Sequence, residues 1–389
     1  MGLSARVTYY GTLMKHEKRR MRGGVFLFFS LLLLSCSEPH ANLPDEDVFA
    51  DVDTLELLFE IGEEVGDSTN TFWSISSADI DDQGRIFVLD DVDASVRVFN
   101  LNGAYIQNLT RMGSGPGELQ RPKCLTVAPD GRIIISDITK GGFVIFSDSL
   151  ELVDEIVMWG DNSPYSFYAL TDSKYLVCRY HETSISNGYI LKHTANIYNG
   201  ELTELIINIY TDSIYDSNDM SEECLAAGSV FALFKRINCG CDSFGNVFIA
   251  PLDTLEYRVY GWDSLGNQFF STQLDINPVE KEPEEIRAEE VYMEYCYRRL
   301  DGWPPLEMIP YNHRFLTAEL GIGPDQNLWV RRGSRTDLFF DIFDLDGNLL
   351  RHEMYPLNSW SWKTVLTPFG ILAWELDPLD GYQRLYMFQ

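Results

Sequence analysis

The chain has 389 residues, of which 59 are acidic and 30 are basic, so its formal net charge at pH 7 is −29. This acidic excess argues against nucleic acid or an anionic membrane as an electrostatic partner, because phosphate binding relies on clustered Lys and Arg side chains. Aromatic residues make up 13% of the chain, a composition that favours β-strands.

The first 35 residues have the layout of a bacterial signal peptide. A basic stretch, residues 15–22, precedes an apolar block, residues 25–34. An apolar run of about 10 residues is too short to cross a bilayer, which takes about 20. The ending Leu-Leu-Ser-Cys at 33–36 resembles a bacterial lipobox, so we expect cleavage before Cys36 and lipid on its thiol. An ordinary secretory signal with an incidental cysteine is the alternative.

These features divide the chain into a signal peptide (1–35), a lipid-bearing Cys36 with a flexible stalk (36–51), and a folded part (52–389). The stalk is polar and acidic and contains two prolines, which suits a linker. Cleavage removes six basic residues and one acidic residue, leaving 24 against 58 and a net charge of −34. We therefore expect an outer-membrane lipoprotein, periplasmic or surface-exposed, held on the membrane by its lipid.

Six cysteines remain after Cys36. Their even number permits disulfides in an exported protein, but their spacing matches no recognisable framework. The Cys-Gly-Cys run at 239–241 could hold a metal ion, although no second Cys or His pair lies nearby in sequence. Buried free thiols are the favoured prediction. The six are Cys124, Cys178, Cys224, Cys239, Cys241 and Cys296.

A recurring unit predicts the fold. It consists of an apolar strand, a turn with Asp-x-x-Gly or Pro-Asp-Gly, a second strand, a break and a third strand. Successive turns fall about 43 to 47 residues apart where the chain is uninterrupted, which matches a propeller blade of four strands. The copies include segments 80–90, 127–137, 171–177, 241–249, 323–330 and 367–374. We expect an all-β, six-bladed β-propeller that forms a single, monomeric unit.

The two ends of the folded part predict how the ring closes. Residues 54–61 form a lone strand before the first full copy, and the last copy leaves little room for a fourth strand before residue 389. Pairing the N-terminal strand with the last blade closes the ring and leaves no open sheet edge.

Two segments carry a family resemblance. The Gly-Ser-Gly-Pro-Gly-Glu-Leu-Gln-Arg-Pro run at 113–122, leading into 125–132, resembles the blade junction of NHL-type repeats. Together with the lipobox and the later pattern from 309–313 to 328–330, it is similar to six-bladed β-propeller lipoproteins of Bacteroidetes. The resemblance implies this fold and no agreed activity.

Two stretched intervals between repeats predict insertions, near 208–235 and 277–312. We expect them to project from the blade ends over one mouth of the central channel. The second contains a predicted helix at 283–300, with proline and acidic residues at its front and arginines at its end. Packing of this helix on the propeller is favoured over exposure of its tyrosines to a ligand.

Candidate ligand-binding residues fall near the predicted channel mouth. An aromatic and basic cluster in the second insertion suits a glycan or an anionic small molecule. Two further runs directly follow predicted strands and would reach the channel if those strands are innermost. A loop with a stacked tryptophan, and pairing of the basic residues with carboxylates, are the alternatives. The candidates are Arg179, His181, Trp303, Tyr311, His313, Arg331 and Arg332.

The sequence supports two classes of function and leaves open whether the chain is an enzyme. The favoured class is a binding module for a glycan or an envelope protein. The alternative is a metal-dependent hydrolase or lyase, by analogy with six-bladed lactonases that hold calcium and NHL-type lyases that use zinc. Calcium is conceivable, but no motif supports it, because the histidines lack paired spacing and acidic residues recur at every turn. No catalytic residue is predicted.

Overall fold

The computed structural model describes residues 52–63, 69–157, 164, 166–171, 173–185, 188–216, 237–287, 313–333, 337–356, 362–375 and 382–389. These residues form 25 strands and one short helix, residues 283–287. The predicted signal peptide, Cys36 and the stalk lie outside them. None of the helical segments in these ranges is long and apolar enough for a membrane span.

The strands group into six sheets, the blades, which we number in chain order. Two strands, β1 (Val52–Thr54) and β2 (Leu57–Ile61), precede blade 1. Blade 1 contains β3 (Ile75–Ile80), β4 (Ile86–Asp90), β5 (Ser95–Phe99) and β6 (Tyr105–Asn108). Blade 2 contains β7 (Pro122–Val127), β8 (Ile133–Asp137), β9 (Gly142–Phe146) and β10 (Leu152–Val157). Blade 3 contains β11 (Ser166–Thr171), β12 (Lys174–Ile185), β13 (Gly188–Asn199) and β14 (Leu205–Asp216).

The second half of the chain supplies three more blades. Blade 4 contains β15 (Ile237–Cys241), β16 (Val247–Pro251), β17 (Tyr257–Trp262) and β18 (Gln268–Leu274). Blade 5 contains β19 (Leu320–Ile322), β20 (Leu328–Arg331), β21 (Asp337–Phe343) and β22 (Leu349–Pro356). Blade 6 contains β23 (Trp362–Thr367), β24 (Gly370–Glu375) and β25 (Leu385–Phe388).

The first strand of each blade lies at the centre of the ring. Each of β3, β7, β11, β15, β19 and β23 contacts the first strands of both neighbouring blades. In blade 1 the second and third strands are buried along their whole length, whereas the fourth is exposed. The middle strands are largely apolar because both faces of each blade pack against a neighbouring blade. The predicted six-bladed β-propeller is confirmed.

The N-terminal strand closes the ring, as the sequence predicts. Strand β2 pairs antiparallel with β25 and becomes the outer strand of blade 6. Ile61, at its end, is buried with Trp374 and Leu385. Strand β1 adds a contact that the sequence did not predict, because it pairs in parallel with β22 and extends blade 5 to five strands.

The Asp-x-x-Gly turns join the first and second strands of the blades. In blade 1 the Asp81 carboxylate accepts hydrogen bonds from the backbone N–H groups of Gln83 (3.0 Å) and Arg85 (2.8 Å). Gly84 follows with φ of +74°, a conformation that glycine adopts without steric cost. Asp242 makes the same turn in blade 4. The aspartate and the glycine therefore specify the hairpin together.

The two ends of the propeller differ. One end, the turn face, carries the short turns between strands 1 and 2 and between strands 3 and 4. The other end, the connection face, carries the loops between strands 2 and 3 and the connections between blades. In blade 3 the β12–β13 hairpin extends this face, since its pairing continues to Ile185 and Gly188.

Both predicted insertions belong to connections that begin and end at the connection face. The first prediction, near 208–235, began too early, because residues 208–216 continue β14 as the fourth strand of blade 3. The alternation of apolar and polar residues is weak along an exposed outer strand, so the sequence did not reveal this extension. The helix predicted at 283–300 is helical over 283–287, and its remainder lies outside the described residues.

Candidate functional site

The predicted site residues on strands are not on innermost strands. Arg179 lies in β12 and Arg331 ends β20, and both strands are second in their blades. The sequence placed these side chains in the channel only if their strands are innermost, and they are not. The chain leaves a second strand at the connection face, so Arg179, Arg331 and Arg332 lie at that end of blades 3 and 5.

Arg331 is held by a carboxylate and a carbonyl. Its Nε donates to Oε2 of Glu319 at 2.6 Å, and its Nη2 donates to the Trp362 carbonyl at 3.0 Å. The guanidinium is almost fully buried. Arg331 thus links blade 5 to the first strand of blade 6. Pairing with a carboxylate is the alternative to ligand binding that the sequence analysis left open for this residue.

Arg332 is paired in the same way. Its Nε and Nη2 lie 2.9 Å from the two carboxylate oxygens of buried Asp341, which also contacts His352 Nδ1 at 2.8 Å. Burial opposes ionisation of Asp341, but hydrogen bonds from His352 and Arg332 outweigh it and lower the pKa of this carboxyl. Such a bidentate pair fixes the end of β20.

The remaining predicted residues are placed only in part. Arg179 is half-buried, with its guanidinium carbon 5.2 Å from the Tyr198 ring centroid, and burial lowers the pKa of its guanidinium. His181 belongs to β12, but its side chain is outside what the structure describes. His313 forms an isolated bridge with Glu280. Trp303 and Tyr311 lie outside the described residues.

An aromatic pair with one exposed ring lies elsewhere on the connection face. Trp73 precedes β3, and its ring centroid is 6.0 Å from that of Tyr382 at an interplanar angle of 40°. The indole is 56% exposed. Its backbone is fixed, because Trp73 N–H donates to Oδ2 of buried Asp90 at 2.8 Å. Burial raises the pKa of Asp90.

A charged pair adjoins these aromatic rings. The Asp91 N–H donates to the Ser74 carbonyl at 2.9 Å, which places Asp91 beside Trp73. Lys123 Nζ lies 3.5 Å from Asp91 Oδ2, and the lysine side chain is 44% exposed. Asp91 Oδ1 is buried and has no hydrogen-bond partner among the described residues. We call Trp73, Tyr382, Asp91 and Lys123 the aromatic patch.

The sequence did not identify the aromatic patch because its members are far apart in the chain. Trp73 precedes the first repeat and Tyr382 follows β24, and ring closure brings them together. The bridge between Phe72 and Gln383 holds the two segments side by side. The Gln383 amide adds hydrogen bonds to Ile75 N–H and to the Glu375 carbonyl.

The innermost strands also carry polar groups. Asp79 of β3 accepts hydrogen bonds from Val127 N–H at 2.8 Å and from the Thr126 hydroxyl at 3.3 Å. Burial raises its pKa to about 6, and these hydrogen bonds only partly offset the effect. Its charge also acts on Cys241 of blade 4, whose pKa burial raises to about 12. In the described ranges, no group of three or more His, Cys, Asp or Glu side chains is arranged to hold a metal ion.

Comparisons with known proteins agree on the fold. A family model described as a 6-bladed β-propeller matches residues 67–221. The match covers blades 1 to 3. An exported protein, so described, from Bacteroides fragilis is 13% identical, with a TM-score of 0.50, over 88% of this chain and 97% of that chain.

Two further solved structures match the chain with TM-scores below 0.5. Regucalcin from Agrobacterium tumefaciens, described as calcium-binding, is 10% identical, with a TM-score of 0.45, over 87% of this chain and 95% of that chain. A streptogramin B lyase is 9% identical, with a TM-score of 0.43, over 86% and 98%. Identities this low show the fold alone. No curated protein sequence matches the chain significantly.

Proposed function

We propose that this chain is an exported lipoprotein whose propeller is a glycan-binding module, with the glycan seated on the aromatic patch. The observation that carries the proposal is the exposure of Trp73 beside Tyr382. An indole in water is a large apolar surface, and the C–H face of a sugar ring covers such a surface by stacking on it. Contiguous exposed apolar surface marks interaction sites, whereas single exposed side chains do not, so the pairing of the two rings is what distinguishes Trp73.

The charged half of the patch supplies hydrogen bonds. The exposed Lys123 ammonium, held 3.5 Å from the Asp91 carboxylate, can donate to a sugar hydroxyl. A few polar groups beside an apolar surface are the usual composition of a small-molecule site. The net charge of −34 after cleavage repels polyanions, so a neutral glycan is the class that fits.

The connection face is the natural place for such a site. Short turns close the opposite face, whereas the long β12–β13 hairpin and the connections between blades belong to this one. Loops on a rigid scaffold carry a disproportionate share of the binding residues in proteins. A lipid on Cys36 would keep the propeller at the membrane surface through the 36–51 stalk.

Affinity electrophoresis tests the binding proposal. The soluble form beginning at Ser37 is run in native gels that contain neutral plant, host or bacterial polysaccharides. Retardation by at least one polysaccharide, lost in Trp73→Ala, supports the proposal. Phe244→Ala is the matched control, because Phe244 is 77% exposed in a blade 4 turn on the opposite face. Unchanged mobility in every polysaccharide, with capture of an envelope protein by crosslinking, would replace the glycan with a protein partner.

Detergent partitioning tests the anchor separately. The full-length chain expressed in a bacterium should enter the detergent phase of Triton X-114, and Cys36→Ser should remain in the aqueous phase. Wild-type protein in the aqueous phase would contradict lipidation and leave the glycan proposal untouched.

A further inference from the structure

Two cysteines from different blades meet inside the propeller. Cys178 belongs to β12 of blade 3 and Cys239 to β15 of blade 4. Their sulfur atoms are 3.0 Å apart, although the residues are 61 positions apart in the chain. Both side chains are buried in the apolar layer between the two blades. Blade packing therefore brings together two thiols that the sequence spacing gave no reason to pair.

We propose that Cys178 and Cys239 form a disulfide that links blades 3 and 4 in the exported protein. A disulfide bond is about 2.05 Å long, so the sulfur atoms need to approach by only about 1 Å, which small side-chain rotations supply. The inference rests on the proposed export, because disulfides persist in oxidising compartments and are rare in the cytosol.

The reaction needs an oxidant, and its class is a disulfide-bonded thiol oxidoreductase or a small-molecule disulfide. One cysteine thiolate attacks a sulfur of the oxidant and forms a mixed disulfide, releasing one oxidant thiol. The second cysteine then attacks the mixed disulfide, forms the Cys178–Cys239 bond and releases the other oxidant thiol. The two cysteines lose two electrons and two protons in total, which the oxidant takes up. Because both thiols are buried, oxidation takes place before the blades close or during a local opening.

The other described cysteines contact oxygen atoms. Cys124 Sγ lies 3.0 Å from the Ser136 hydroxyl, and Cys241 Sγ lies 3.6 Å from the Ala169 carbonyl. Burial raises the pKa of each of these two thiols to about 12. Geometry thus separates one bonding pair from two neighbours in the same region.

The link would tie the blades on both sides of a long connection. Blade 3 ends with β14 at Asp216, and blade 4 begins with β15 at Ile237. A Cys178–Cys239 bond holds these two blades together independently of the chain that joins them at the connection face. It therefore prevents separation of the blades at this interface when the connection is strained.

Peptide mapping tests the link directly. The propeller beginning at Ser37 is sent to a bacterial periplasm by a heterologous signal peptide, alkylated in denaturant without reduction, and digested with trypsin. Cys178 falls in the tryptic peptide 175–179, and Cys239 shares the peptide 237–258 with Cys241. We expect these two peptides to be joined in the main form of the protein and separate after reduction.

Single-cysteine variants identify which sulfur atoms form the bond. Cys241→Ala should keep the linked pair, and Cys239→Ala should lose it. Unlinked, fully alkylated peptides in the wild-type protein would overturn the proposal, and so would a link that survives in Cys239→Ala. If Cys239→Ala does not fold, Cys241→Ala and the wild type still decide the outcome. The readout does not involve Trp73 or a glycan, so its failure leaves the binding proposal standing.

Discussion

Asp79 offers a quantitative test of the electrostatics of the ring centre. Its carboxylate lies between the innermost strands of blades 1 and 2 and accepts hydrogen bonds from Ile80 N–H and Val127 N–H, each at 2.8 Å. Burial nevertheless raises its pKa from 3.8 to about 6. The ionised form is therefore disfavoured in the folded protein relative to the unfolded chain.

The sign of the pH dependence follows from this shift. A carboxyl with a raised pKa contributes stability that is complete below pH 3.8 and is lost as the pH rises through about 6. The shift corresponds to about 3 kcal/mol, and solvent screening of this half-buried side chain reduces the expected value to about 1 to 3 kcal/mol. Asp79→Asn removes this titration. The stability of the variant relative to wild type should therefore rise by that amount between pH 4 and pH 7.

Urea unfolding at several pH values measures the difference. The amide in Asp79→Asn can also be a weaker hydrogen-bond acceptor for Val127 N–H than the carboxylate. Such an effect lowers the free energy of unfolding equally at every pH and leaves its pH dependence unchanged. Asp263→Asn is the control of opposite sign, because a hydrogen bond from the Asn267 amide lowers the pKa of Asp263. Its stability relative to wild type should fall as the pH rises. Parallel curves for Asp79→Asn and wild type would refute the reasoning.

Three further substitutions test the packing that shapes the ring, each by urea unfolding. Gly240→Ala should cost about 1 to 3 kcal/mol, because a Cβ there would lie 2.7 Å from the Leu320 carbonyl oxygen in the next blade; a neutral result would mean that the blades separate easily. Asp341→Ala should cost about 3 kcal/mol, because Arg332 loses its buried partner; a change below about 0.5 kcal/mol would contradict this. Ile61→Ala should cost about 2 to 4 kcal/mol by weakening ring closure, and a neutral result would show that β2 is dispensable.

The architecture was predictable because each blade repeats local signals. Asp81 and Gly84 specify a turn through hydrogen bonds within four residues and a positive φ, and such signals depend only on the nearby chain. Ring closure by β2 was predictable because an unpaired final blade would leave an open edge. Strand β1 was not predictable, since a three-residue strand carries too little pattern.

The candidate site was less predictable because it depends on contacts between distant segments. The repeat shows that Arg331 follows a strand, but not that this strand is second from the axis. Its partner Glu319 comes from the pairing of the first two strands of blade 5, but the Trp362 carbonyl is identified only once blades 5 and 6 are packed. The same holds for Trp73 and Tyr382, which ring closure brings together. Sequence periodicity marks the strands and turns of each blade and says little about side chains that meet between blades.

The most direct test of the central claim is a binding titration on the aromatic patch. Calorimetry would measure the affinity of the soluble propeller for the neutral polysaccharide that retards it most, in wild type, Trp73→Ala and Phe244→Ala. We predict that Trp73→Ala weakens binding at least about tenfold, which is about 1.4 kcal/mol, while Phe244→Ala binds as wild type does. Equal affinity in wild type and Trp73→Ala, with unchanged melting temperature, would show that the aromatic patch is not the binding site.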